Sequence, residues 1–327
     1  MKQAAFEQHH GEEWARFERW LDRHDRLRKR KTDSDSPLAP QEVPPAYRRI
    51  CQYLALARER QYSPELVDRL NRLALRGHHV LYGSRGGQSA RVLSFIAADF
   101  PRLVRREWPL VAASAILFMG TLMLMIGAIL AYPDFIHYFL GPRELADFEE
   151  MYNPSNTRIG MRSGDDNVLM FAFYIWNNVK IGFQVFATGV AFGLGTVVFL
   201  VFNGVLIGAV AGHLTGIGYG GPFWSFVSGH SAMELTAIVM AGAAGLKLGG
   251  ALISPGELSR KSALVQAARP AVRLVYGAAL MFTIAAFIEG FWSPLTVFPP
   301  QTKHAVGAAL WVVVLLYFAL AGRGRAA

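Results

Sequence analysis

The chain has 327 residues and a formal net charge of +9, with 52% hydrophobic content, 17% charged residues and one cysteine, Cys51. A single cysteine excludes an intramolecular disulfide and a four-cysteine zinc site. The averages hide a division near residue 108: residues 1–108 hold 21 of the 33 Lys and Arg and 14 of the 24 Asp and Glu, so a basic soluble part precedes a membrane part.

The opening "MKQAAFEQHHGEEWARFERW" has no apolar core and no cleavage site, so no cleaved signal peptide is expected. Trp14, Phe17, Leu21 and His24 follow helical spacing and predict an amphipathic helix that ends in a solvated basic run. "TDSDSPLAPQEVPP" reads as a linker, after which Tyr47, Ile50, Leu54 and Ala57 carry a second helix. Ser63 before Pro64 is an N-cap with proline at the first helical position, and Leu66, Leu70, Leu73 and Leu81 carry a third helix. Three helices predict a small bundle. Residues 1–108 carry an excess of seven positive charges, which suits anionic lipid headgroups or an acidic protein, and no nucleic-acid motif accompanies it. In "VLSFIAADFPRLVRREWP", Phe95, Phe100, Leu103, Val104 and Trp108 alternate with Arg102, Arg105 and Arg106, which predicts an interfacial helix closing a domain at residues 1–108.

Residues 109–132 form an uncharged run long enough to cross a bilayer, with arginines on its N-terminal side that place that side in the cytoplasm. Residues 133–167 carry seven acidic groups against three arginines and predict an acidic outer loop. The next basic loop, "SPGELSRKSALVQAARPAVR", belongs inside, so an odd number of crossings separates the two loops. Spans are placed at about 178–202, 203–219, 229–252, 271–292 and 304–321, with Asn177, Asn178 and "GIGYGGP" as breaks. The segment 203–219 has a re-entrant alternative. The expected architecture is an all-α polytopic membrane helix bundle of about six spans over 109–327, with an N-terminal soluble helical bundle and both termini cytoplasmic.

Gly204, Gly208, Gly212 and Gly216 repeat at four-residue intervals, as do Ala237, Ala241, Gly245 and Gly249. Such series let helix backbones approach closely, within one chain or in a homo-oligomer, and packing within the chain is the preferred reading. Lys180, Lys247, Lys303 and His304 lie near span ends and are expected to snorkel to headgroups. His213, His230, Glu234 and Glu289 lie deeper, with Asn177 and Asn178 as polar neighbours. In "GHSAMELTAI", His230 and Glu234 share a helix face with Ala237, Ala241 and Gly245, so the pair points into the bundle. Three roles stay open. A zinc hydrolase wants about three ligands and a base, a proton or ion path wants ionisable groups beside a cavity, and a structural pair wants only neighbouring helices. The structural role is preferred, and no resident metal or cofactor is expected.

The stretches "FYIWNNVKIGFQVFATGVAFGLGTVVFLVFNGVLIGAVAGHL", "FWSFVSGHSAMELTAIVMAGAAGLKLG", "SPGELSR" and "IEGFWSP" resemble the stage II sporulation protein M family of bacterial membrane proteins. "LNRLALRGHHVLYGS" is similar to the N-terminal region of its longer, non-sporulation members, so the resemblance covers nearly the whole chain. That family usually has proline before the histidine. Gly229 stands there in this chain, which predicts a looser helix start. The resemblance implies an inner-membrane scaffold or assembly factor with no catalytic activity of its own and no agreed catalytic residues. It also implies membrane or cytosolic protein partners, among them a MoxR-type ATPase. A channel or proton-coupled transporter using His230, Glu234 and Glu289 is the alternative, and an intramembrane metallohydrolase a remote one.

Overall fold

The computed structural model describes residues 2–27, 37–39, 41–81, 88–155 and 164–324, with the backbone alone described at 24–27, 88 and 164–167. Among these residues there are helices and turns and no strand. The chain divides into two compact units, Met1–Ala90 and Arg91–Ala327. The predicted basic run at 28–31, residues 32–36 and 40 of the predicted linker, and the side chain of His24 lie outside the described residues.

The first unit holds α1 (Gln3–Leu27), α2 (Val43–Glu59) and α3 (Pro64–Leu81). Trp14, Phe17 and Leu21 of α1 meet Ile50 and Ala57 of α2 and Leu66, Leu70 and Leu73 of α3, and Leu38 of the connecting segment is buried with them. Each large side chain removed from water here contributes roughly 1.5–3 kcal/mol, which is why the predicted apolar stripes close on one another. The hydroxyl oxygen of Ser63 accepts the Leu66 N–H at 3.4 Å, starting α3 where the cap pattern predicts. Glu13 links α1 to α2, accepting the Tyr53 hydroxyl at 2.8 Å and pairing with Arg49. Burial, followed by that hydrogen bond, pushes the Tyr53 phenol up to about 12.

The second unit opens with a helical run in which α4 (Gln88–Ser94) leads through a π-helical turn (Phe95–Asp99) into α5 (Phe100–Arg106). Phe100, Pro101, Leu103 and Val104 are buried among membrane helices, so this segment does not lie free on the interface as predicted. The bundle gains more by covering those side chains than a headgroup layer would. The first membrane helix is α6 (Trp108–Ala115) and α7 (Thr121–Ala131), joined through a π-helical turn at Ile116–Gly120. A 3-10 turn (Pro133–Tyr138) precedes α8 (Pro142–Tyr152), and the remaining helices are α9 (Gly164–Ala187), α10 (Leu194–Gly216), α11 (Gly220–Ile253), α12 (Arg260–Phe287) and α13 (Pro300–Leu320).

Five helices are long and apolar enough to cross a membrane: 108–131, 194–216, 220–253, 260–292 and 300–320. Among the described residues α9 falls outside these five, and it runs antiparallel to α12 between the same two ends. Phe171 packs on Gly290, Gly182 on Phe282, and Gly189 on the Gly245 backbone. Its outward row includes Leu169, Phe173, Trp176 and Phe183, all exposed as lipid contact requires. The predicted spans 178–202 and 203–219 are therefore replaced by 164–187 and 194–216. Asn177 and Asn178 do not end a helix, because a mid-helix amide with partners inside the bundle needs no water. The break comes at Thr188–Val190 and Gly193, where φ is +77° and the chain turns against the backbone of Gly249. The re-entrant alternative is also set aside, since α10 is one continuous helix and "GIGYGG" is a turn with Gly218 at φ +88°.

Both ends of the membrane chain meet at one end of the bundle, here termed proximal. Arg105 donates to the carbonyls of Phe318 at 2.6 Å and Ala321 at 2.8 Å, Arg102 donates to that of Gly322 at 2.7 Å, and the Tyr317 hydroxyl donates to that of Ile96 at 2.6 Å. These cations satisfy the free carbonyls closing α13. The glycine series is filled by the chain itself: a Cβ on Gly204, Gly208 or Gly212 would strike the 118–129 stretch, one on Gly249 would strike Gly193, and one on Gly216 would lie 3.7 Å from Leu130. Ala237, Ala241 and Gly245 are likewise buried. Ser114 donates to the Val239 carbonyl at 2.9 Å, fixing α6 on α11.

Candidate functional site

Four residues of the predicted polar set meet near the distal half of the bundle. On α11, His230 and Glu234 lie one turn apart with imidazole Nε2 3.6 Å from carboxylate Oε2. Thirteen residues, about 20 Å of helix, separate Glu234 from Lys247, which pairs with Glu107 at 2.8 Å toward the proximal end. Glu289 enters from the end of α12, where a π-helical turn spans Ile288–Trp292 and the Ser293 N–H bonds the Ile288 carbonyl at 2.8 Å. The extra residue of such a turn re-aims its side chains, and turns of this kind recur at functional sites.

Two glycines bring the three elements together. Gly229 leaves space that the Trp292 ring occupies, and Gly290 packs on Phe171 so closely that a Cβ added there would lie 3.1 Å from it, which sets Glu289 between α11 and α9. Gly229 lies well inside a continuous α11, so the looser helix start predicted there is corrected. On α9, Asn178 donates from Nδ2 toward Glu289 Oε2 at 3.5 Å, and Asn177 donates to Asn178 Oδ1 at 3.3 Å.

Ligating atoms of His230, Glu234 and Glu289 all lie within 4.8 Å of one another. The His230 side chain is 5% exposed and that of Glu234 18%. The second ring nitrogen, Nδ1, is 3.1 Å from the Ser293 hydroxyl, and Phe226 sits edge-on to the ring at 5.6 Å. Lys303 is buried and donates from Nζ to the Ser293 carbonyl at 2.7 Å, so the snorkelling predicted for it is replaced by a bond to the chain. Lys247 likewise spends its charge on Glu107.

His213 does not join this group. It ends α10 and pairs through Nε2 with Glu149 of α8 at 2.8 Å, while Tyr152 of the same α8 stacks edge-on against Phe223 at 5.2 Å. Together these contacts hold the acidic segment on the distal end.

A family model described as stage II sporulation protein M matches residues 113–294. The chain belongs to the stage II sporulation protein M family. The matched segment contains His213, His230, Glu234, Glu289 and both asparagines, and stops short of Lys303. Residues 4–83, which include most of the basic unit, match a second model described as a domain of unknown function. No curated protein and no solved structure matches the chain.

Sequence reasoning missed Ser293, Lys303 and Phe226 as companions of the His230–Glu234 pair. Ser293 stands in "IEGFWSP" four residues after Glu289, and a serine about one helical turn from a charged residue at a span's end was the available signal. Chemically, two carboxylates and an imidazole converging in a bundle can hold a proton or a cation, or bond one another across helices.

Proposed function

We propose that the chain is a non-catalytic membrane scaffold of a cell-envelope complex, with its basic three-helix unit as the recruiting surface for soluble partners. The supporting observation is how closely the turn between α9 and α10 packs on α11: Gly189 lies on Gly245 and Gly193 on Gly249, backbone against backbone, with Ala241, Ala243 and Ala244 buried between helices. A conducting path would need a lumen there, and close-packed backbones give a rigid platform instead. Charge supports an orientation with the proximal end in the cytoplasm, since Arg102, Arg105, Arg106, Arg260, Lys261 and Arg269 cluster there, whereas α8 on the distal end carries Glu144, Asp147, Glu149 and Glu150. In this reading the protein is an inner-membrane protein of a bacterium with its soluble unit in the cytoplasm. The MoxR-type ATPase that the resemblance implies is the first partner to test.

Photo-crosslinking residues placed at the exposed Arg72 and Leu75 of the full-length protein in native membranes test this reading. Discrete adducts with a soluble protein are expected. The absence of adducts, together with an ion or proton flux in reconstituted liposomes that Glu234→Gln abolishes, would replace the scaffold with a transporter built on the His230 cluster.

A further inference from the structure

We propose that His230, Glu234 and Glu289 form a site for one divalent transition-metal ion of the zinc or manganese class. The proposal stands independently of the scaffold reading: partner capture can fail with the ion bound, and the ion can be missing while partners are captured.

Spacing is the first argument. At 3.6 Å, His230 Nε2 and Glu234 Oε2 are too far apart for an N–H···O hydrogen bond. Metal–ligand bonds of about 2.1 Å place neighbouring ligands of a tetrahedral ion about 3.4 Å apart. The third ligand atom, on Glu289, completes a group within 4.8 Å, and closing the longest separation by about 1.4 Å brings it to that spacing.

Orientation is the second. An imidazole that ligates through one nitrogen donates its other N–H to a fixed acceptor, which sets tautomer and ring plane. His230 has a group in place for that: Nδ1 is 3.1 Å from the Ser293 hydroxyl oxygen, and the tautomer that ligates through Nε2 is the one whose Nδ1–H donates to it. Ser293 is 1% exposed, and Lys303 fixes its carbonyl from the other side. Glu289 has an outer partner as well, Asn178 on α9.

Ligand chemistry is the third. The nitrogen ligand selects a transition ion over calcium or magnesium, which prefer all-oxygen shells. Three protein ligands leave a position open, and the exposed edge of Glu234 gives access to it.

The test uses full-length protein purified in detergent on a tag without histidine, stripped with chelator and then exposed to zinc, manganese, magnesium or calcium before desalting. Elemental analysis is expected to find one zinc or manganese per chain, at least tenfold less in Glu289→Gln and His230→Gln of unchanged elution volume, and no calcium or magnesium. Thermal unfolding of the unmutated protein supplies the readout if a variant fails to fold: chelator lowers the melting temperature and zinc or manganese restores it. A folded protein that retains no ion, variants that retain as much as the parent, equal retention of calcium, or a melting temperature indifferent to chelator and metal would each overturn the site.

Discussion

The Ser293 hydroxyl stands 3.1 Å from Nδ1 of His230, and the same residue's carbonyl takes the Lys303 ammonium at 2.7 Å. One serine thus ties α11 to the loop before α13. Ser293→Ala leaves a buried imidazole nitrogen without its partner, at a cost of about 1–3 kcal/mol. It is also expected to weaken zinc retention by about 10–100-fold, the usual effect of removing an outer partner of a ligand. Differential scanning fluorimetry and zinc titration of the solubilised protein read the two effects separately; an unchanged zinc affinity would show that Ser293 does not orient the ring.

The glycine at 249 faces the backbone of Gly193 and Phe192, and its neighbour Gly250 has nothing within 4 Å of where a Cβ would stand. Gly249→Val is expected to destabilise the bundle by about 1–3 kcal/mol through overpacking. Gly250→Ala is expected to be neutral or to stabilise by up to about 1 kcal/mol. The paired melting temperatures of these variants separate a close backbone approach from general intolerance of side chains at that end.

Glu107 and Lys247, with side chains 10% and 22% exposed, pair across α6 and α11 at the proximal end. Lys247→Met leaves the carboxylate with Arg106 alone, at 3.3 Å, and should cost about 1–3 kcal/mol, whereas Lys247→Met with Glu107→Leu should recover most of it. Denaturant midpoints of the single and double variants check this, and additive losses would contradict a coupled pair.

Tyr53 titrates upward because folding buries its phenol and gives it a bond to Glu13. A phenol whose folded value lies above its unfolded one near 10 contributes stability that is complete below pH 10 and disappears as pH rises toward about 12. Tyr53→Phe should therefore be less stable than the parent at neutral pH and lose less on going from pH 10 to 12. Phenolate absorbance of the two proteins across that interval identifies the late-titrating group.

The all-α bundle, the three apolar stripes of the first unit and the face shared by His230 and Glu234 were legible because helical periodicity is local. Boundaries between spans were not. Asn177, Asn178 and Lys180 look like the edge of an apolar run, yet α9 carries them mid-helix because Glu289, 111 residues away, receives the Asn178 amide. The convergence of Glu289 on His230 depends on a π-helical turn and on Gly229 and Gly290 admitting the rings of Trp292 and Phe171, none of which leaves a periodic trace. Lys303 read as a headgroup contact for the same reason: its acceptor is a backbone carbonyl, invisible in residue content.

The arginine latch at the proximal end joins residues separated by 213 to 220 positions in the chain. At a synthesis rate of about 5–20 residues per second, the carbonyls that receive Arg102 and Arg105 emerge roughly 10–40 s after those arginines. Until then, the segment before the first span has no place to dock, and Phe100 has neither Gly277 nor Phe318 to cover it. Closure of the bundle is thus the last event of its biogenesis, and a ribosome stalled before α13 would leave an open, insertion-competent intermediate with its starting arginines still free for headgroups or a chaperone.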